Sequence, residues 1–165
     1  MQAVEGSVTI QETTSTASIP SAHGTYALVL HMSRSRRIRI GRLGTFSFPA
    51  GRYLYVGSAF GPGGLRARIA HHMKRATRPH WHIDYLRQAA DVVDVWYTAG
   101  KRLECAWARR LSKGACVYTP VAGFGSSDCE CPAHLFFIHA DLVFDGRVIG
   151  GLDGKLSHPL GKNEY

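Results

Sequence analysis

Between Tyr53 and Met73 the spacing of apolar residues changes once, and a glycine-rich turn marks the change. Ahead of the turn, Gly24-Thr25-Tyr26-Ala27-Leu28-Val29-Leu30 is rich in β-formers. Ile38, Ile40, Phe46 and Phe48 then alternate with polar residues, and Pro49-Ala50-Gly51 turns the chain into Tyr53-Leu54-Tyr55-Val56-Gly57. Beyond Gly61-Pro62-Gly63-Gly64, Leu65, Ile69 and Met73 recur every four residues. That is one face of a helix, with Arg68 and His72 on a neighbouring face. The pattern predicts a short antiparallel meander followed by a helix.

The remaining elements follow from the same rules. Pro79 stops the helix, and His80 to Ala90 reads as a second one with Ile83, Leu86 and Ala90 inward. Val92 to Tyr97 is a strand. Lys101 to Ser112 is a helix ending at Gly114, with Leu103, Trp107 and Leu111 inward and Glu104 beside that stripe. Residues 118–133 have loop composition. Leu135 to Ile138 and Leu142 to Ile149 read as strands, the second folded at Asp145-Gly146. Residues 1–22, without apolar periodicity, read as a flexible leader, 23–150 as one domain, and 151–165 as a fraying tail. With 165 residues and 45% apolar content the chain has material for one core. The expected fold is α+β, a small central antiparallel sheet flanked by helices beginning near Gly64, His80 and Lys101.

Charge narrows the partners. The formal net charge is +8, and no Asp or Glu occurs between Gly24 and Ile83, where the basic residues run from Arg34 to Arg78. Such a segment repels itself unless an anion offsets it, and phosphate is the commonest such partner. No apolar run approaches the roughly 20 residues a membrane span requires, so a membrane partner is not expected. Arg34, Arg36, Arg37, Arg39, Arg66, Lys74, Arg75 and His82 are the candidates for binding nucleic acid, with the cluster from Arg34 to Arg42 holding backbone away from the reacting phosphate. Trp81 reads as a core residue rather than a base-stacking platform. The polar N-terminus carries no signal-peptide pattern, so a reducing cytoplasm is the expected location, and the four cysteines are expected as free thiols or metal ligands. Cys129, Cys131 and His134, with Cys105 or Cys116 as a fourth, offer a soft zinc set, although Cys-x-Cys-x-x-His is not a standard zinc spacing.

Three pieces in order, Gly24-Thr25-Tyr26, Tyr55-Val56-Gly57 and Leu65-Arg66-Ala67-Arg68, with His72 one turn later, resemble the signature of the GIY-YIG nuclease superfamily. The resemblance is closer to one small branch over most of residues 24–140. It is carried by the stretches Tyr53 to Ala59, His80 to Leu86 and Gly123 to Cys129. The domain of that branch is sometimes joined to an endonuclease-III-type repair enzyme. Two departures stand out: the Gly61 to Gly64 insert lengthens the loop before Arg68, and the asparagine that many relatives place after the metal-binding glutamate has no match.

The resemblance implies a metal-dependent endonuclease acting on DNA, with RNA as the other candidate polymer and repair as the setting. Tyr26 or Tyr55 would orient or deprotonate the attacking water, which requires nearby cations to lower the phenol's pKa. Arg68 would grip phosphate oxygens with its fixed fork. His72 would relay a proton or bind phosphate. Glu104 would hold a single Mg²⁺ or Mn²⁺ beside the leaving oxygen. Asp128 caps a turn in one reading, and Gly123 to Ser127 cradles a phosphate in another. The competing reading is a non-catalytic nucleic-acid-binding domain on the same fold, because a scaffold can outlive its chemistry.

Overall fold

The computed structural model describes residues 11–13, 18–115, 117–139, 149–150 and 154–157. Among them the strands are β1 (Gln11–Thr13), β2 (Gly24–Met32), β3 (Arg36–Ile40), β4 (Gly44–Phe48), β5 (Gly51–Ala59), β6 (Asp91–Ala99), β7 (Val117–Tyr118), β8 (Leu135–Ile138) and β9 (Gly154–Ser157). The helices are α1 (Gly64–Met73), α2 (His82–Leu86) and α3 (Glu104–Leu111). One seven-stranded sheet runs in the order β1-β9-β6-β2-β5-β8-β7, antiparallel except for the β1/β9 pair, and β3 with β4 forms a separate two-stranded ribbon. The fold is α+β, as the sequence implies.

Strand periodicity sorts the two faces of the central strands. Tyr26, Leu28 and Leu30 of β2 and Tyr53 and Tyr55 of β5 share one core with Leu65 and Ile69 of α1 and Ile83 and Leu86 of α2. Ala27, Val29, Leu54, Val56 and Trp96 point the other way, into a second core closed by Trp107, Ala108 and Leu111 of α3. β2 and β5 are thus covered on both sides, which is why they read as near-continuous apolar runs. Each fully buried Leu, Ile or Phe contributes about 1.5–3 kcal/mol of transfer free energy.

Several boundaries differ from expectation. The meander divides: β2 pairs directly with β5 from Gly24↔Ala59 to Met32↔Gly51, and β3 and β4 leave the sheet as the ribbon between them. α2 is a single short turn. Asp84 Oδ2 accepts the amides of His80 and Trp81 at 3.0 Å each, starting the helix at His82. At the other end the buried Arg87 side chain folds back onto the carbonyls of His72 and Ala90 and stops it.

Packing and strand pairing also reach outward past both expected domain boundaries. Packing starts ahead of His23, because Ile19 is fully buried. The amides of Leu65 and Arg66, which have no partner inside α1, donate to the carbonyls of Ala22 (2.9 Å) and Pro20 (3.2 Å). Gly64, at φ 57°, leaves no room for a side chain against the carbonyls of Ser21 and Ala22. Residues 19–22, the end of the expected leader, therefore form a strap that caps α1. In the stretch expected to fray, residues 154–157 form β9, paired with β6 and β1. The hairpin expected at Asp145-Gly146 lies outside the described residues, as does Cys116.

Candidate active site

Tyr26, Tyr55, Arg68, His72 and Glu104, drawn from β2, β5, α1 and α3, line a single cleft of about 350 Å³. Ser58, His80, Trp81, His82, Gly125, Ser127 and Asp128 complete its walls. The tyrosines come together through sheet register. Tyr26 pairs with Gly57 across β2 and β5, and a Cβ at position 57 would fall on the Tyr26 ring carbon and hydroxyl. The rings of Tyr26 and Tyr55 have centroids 6.4 Å apart. Helical spacing puts Arg68 and His72 on one side of α1, facing them.

The Tyr26 hydroxyl and His72 Nε2 are 2.8 Å apart. His72 is 2% exposed, and burial, with His71 nearby, lowers its pKa to about 3. It is therefore neutral near pH 7, and Nε2 can accept a hydrogen bond from the protonated Tyr26 hydroxyl. Its Nδ1 is buried without a hydrogen-bond partner, a cost of about 1–3 kcal/mol that packing alone does not require.

One expectation fails. Burial raises the pKa of Tyr26 well above the ordinary phenol value, Tyr55 and Glu104 adding to the rise, and it raises that of Tyr55 likewise, with Glu104 adding; Arg68 offsets only part of each. The cations do not win, and both phenols are held protonated.

The Arg68 guanidinium lies over the Trp81 ring, 4.3 Å from its centroid. Trp81 is 37% exposed. The expected core tryptophan is thus a wall of the cleft, holding the guanidinium by cation–π attraction. His82 lines the same cleft and its Nδ1 accepts the amide of Gly125 at 2.9 Å, so that nitrogen is engaged within the fold. His71 and Asp84 meet behind them at 3.1 Å. Burial works to raise the Asp84 pKa, but the His80 and Trp81 amides and His71 outweigh it and leave the carboxyl below its usual range. Asp84 is occupied in shaping the loop that carries Trp81.

Glu104 opens α3, where the positive end of the helix favours a carboxylate. Its side chain is 18% exposed, and Oε1 stands 3.0 Å from His134 Nδ1. Asp128 also lines the cleft, a second carboxylate that the sequence pattern did not single out as a ligand. Carboxylate oxygens in a polar, water-accessible cleft suit a hard divalent ion that keeps most of its waters. The residues present therefore fit Mg²⁺ or Mn²⁺ on Glu104. The loop expected to cradle phosphate contributes Gly125 and Ser127 to the wall. Gly125 has φ 73°, and a Cβ there would come within 3.0 Å of Tyr55 Cε2.

The outer basic residues divide. Arg34, Arg36, Arg37 and Arg39 are exposed on and beside β3, as is Lys74 after α1. Arg66 Nε donates to the carbonyl of Ile19 at 2.7 Å, and Arg75 donates to Arg87 O and Asp91 Oδ1, both at 2.7 Å. Those two arginines, expected to meet nucleic acid, are engaged within the fold.

Cys105, Cys129, Cys131 and His134 converge so that their Sγ and imidazole nitrogen atoms all lie within 4.8 Å of one another. No local spacing links Cys105 on α3 to the other three. The tertiary fold alone brings it in.

No helix among the described residues is long and apolar enough to cross a membrane. Comparison with curated proteins and with solved structures returns no match. One family does match, over residues 25–146, a span that includes every wall of the cleft. The chain accordingly belongs to the family described as Domain of unknown function DUF123.

Proposed function

We propose that this chain is a metal-dependent endonuclease of GIY-YIG type that hydrolyses phosphodiester bonds in DNA, with repair as the setting and RNA as the other candidate polymer. The observation that carries the reading is the convergence of two tyrosines, an arginine, a histidine and a glutamate from four separate elements on one cleft. Its volume, about 350 Å³, suits a phosphodiester and its flanking sugars.

In this reading Arg68 takes one equatorial oxygen of the scissile phosphate, and Trp81 keeps the guanidinium extended until the anion arrives. Tyr26 acts as a neutral phenol rather than as a phenolate. With its proton donated in a hydrogen bond to His72 Nε2, 2.8 Å away, its oxygen is left to accept a hydrogen bond from the attacking water and orient it. Tyr55, whose proton burial retains, orients the water or the phosphate through its hydroxyl. Glu104 would hold the Mg²⁺ or Mn²⁺, which when bound offsets the charge developing on the leaving oxygen. The exposed arginines of β3 supply backbone affinity outside the cleft.

One observation favours the competing reading of a nucleic-acid-binding domain without catalysis: neither phenol is lowered toward ionisation. The deciding experiment is nicking of plasmid, branched and damaged DNA with and without Mg²⁺ or Mn²⁺. The enzyme reading expects metal-dependent nicking, lost in Arg68→Ala and Glu104→Ala while the variants still bind DNA. Salt-sensitive binding with no cleavage across that substrate panel would leave the binding domain.

A further inference from the structure

Behind the Glu104 wall of the cleft lies a group of side chains that the proposed hydrolysis does not use. Cys105 sits in the first turn of α3, Cys129 and Cys131 in the loop that ends at β8, and His134 immediately before β8. In a tetrahedral zinc site, Zn–S bonds of about 2.3 Å set neighbouring sulfurs about 3.8 Å apart. Four donor atoms all within 4.8 Å of one another, with Cys129 Sγ 3.4 Å from His134 Nε2, have that spacing before any ion is added. A disulfide does not explain the group. Pairing two of the sulfurs leaves a third thiol and an imidazole nitrogen still converged on them.

The orientation of His134 adds a second, independent observation. Its side chain is fully buried, with Nε2 toward the sulfur of Cys129 and Nδ1 3.0 Å from Glu104 Oε1. The approach to Glu104 is close without having the angles of a hydrogen bond, and Nδ1 has no other partner among the described residues. A ligating histidine adopts this posture, one nitrogen toward the metal and the other carrying its proton toward a carboxylate. The loop supplies a third. Residues 119–134 contain no helix or strand, yet the backbone is held from within by Gly123 N to Pro132 O and His134 N to Phe124 O, both 2.7 Å. Val121, Phe124 and Ala133 anchor the loop in the core, and a metal cross-link would close the rest of a long segment that has no regular structure.

We propose that Cys105, Cys129, Cys131 and His134 bind one structural Zn²⁺ that fastens the 119–134 loop to the start of α3. Three thiolates and an imidazole select a soft or borderline ion over Mg²⁺. The set is closed, with no position left for substrate, so the ion has a holding role. Its consequence for the cleft is positional. Cys105 follows Glu104 in the chain and His134 touches its carboxylate, so the ion holds two sides of that residue. The site stands whether or not the chain cuts DNA.

The test uses the full chain, purified under reducing conditions without chelator. Metal analysis should find about one zinc per chain. A thiol-modifying mercurial should release that zinc in proportion to the thiols titrated. Cobalt exchanged for zinc should show intense tetrahedral d–d bands with sulfur-to-cobalt charge transfer. Cys105→Ser and Cys131→Ser should each lower zinc occupancy at least tenfold under competition with a chelator. If either variant fails to fold, the cobalt spectrum and zinc release of the unaltered chain decide. Purified chain with less than a tenth of an equivalent of zinc, no cobalt–thiolate spectrum, and a melting curve unmoved by zinc would overturn the proposal. So would a folded Cys105→Ser variant that keeps its zinc as tightly as the unaltered chain.

Discussion

The hydroxyl of Tyr26 and Nε2 of His72 lie 2.8 Å apart in a site where burial keeps the phenol protonated and the imidazole neutral. The proton therefore stays on an oxygen that faces the cleft and is donated in a hydrogen bond to a nitrogen behind it. The two residues form a single unit, and the unit can be tested as one.

If the pair orients the attacking water, Tyr26→Phe and His72→Gln each slow single-turnover nicking by about 10²-fold, the usual weight of a lost positioning contact. The double variant is then little slower than either single one, because groups acting in series are non-additive. Multiplication of the two effects, measured under the same saturating Mg²⁺, would show that they act separately.

The same histidine sets a pH signature. Its pKa falls from 6.5 in the unfolded chain to about 3 in the folded one, so between those values the unfolded state binds more protons. The stabilisation is whole above pH 6.5 and is lost progressively as pH falls toward 3, with a slope of at most about 1.4 kcal/mol per pH unit. Urea midpoints across that window should flatten in His72→Gln. An unchanged slope would mean that another group carries the titration.

Ile19→Ala should destabilise the fold by about 2–5 kcal/mol, the range for emptying a fully buried aliphatic site. The site lies in the strap that caps α1, and α1 carries both Arg68 and His72. Nicking should accordingly fail at a lower temperature than in the unaltered chain. A change in unfolding free energy, measured in urea, of less than about 0.5 kcal/mol would mean that the strap is detached in solution.

Replacing Arg34, Arg36, Arg37 and Arg39 with Gln should weaken DNA binding. The salt dependence of affinity should flatten by about 0.9 log units per log unit of salt for each arginine that meets a phosphate. Turnover on saturating substrate should be nearly unchanged, since the four lie on the ribbon and outside the cleft. Lost turnover at unchanged affinity would move the ribbon into the reacting site.

The site residues were legible through the resemblance to the GIY-YIG signature, and periodicity supplied the elements that carry them. Strand alternation and a four-residue helical spacing account for why Tyr26, Tyr55, Arg68 and His72 line one cleft once the elements pair. What escaped was set by distant contacts. Ile19 stands alone among Thr and Ser, so no periodicity announces its burial. β3 and β4 alternate like sheet strands but leave the sheet, because β2 and β5 pair along their whole length without them. Trp81 has the composition of a core residue, yet Asp84 grips the amides around it and turns it outward. Cys105 joins the other cysteines only through the docking of α3.

The ring and hydroxyl of Tyr26 fill the space above Gly57 where a side chain would stand. Two short signatures far apart along the chain are therefore halves of one joint, and neither can change size by itself. A descendant that enlarged residue 57 would have to surrender the phenol, and the imidazole behind it would lose its companion.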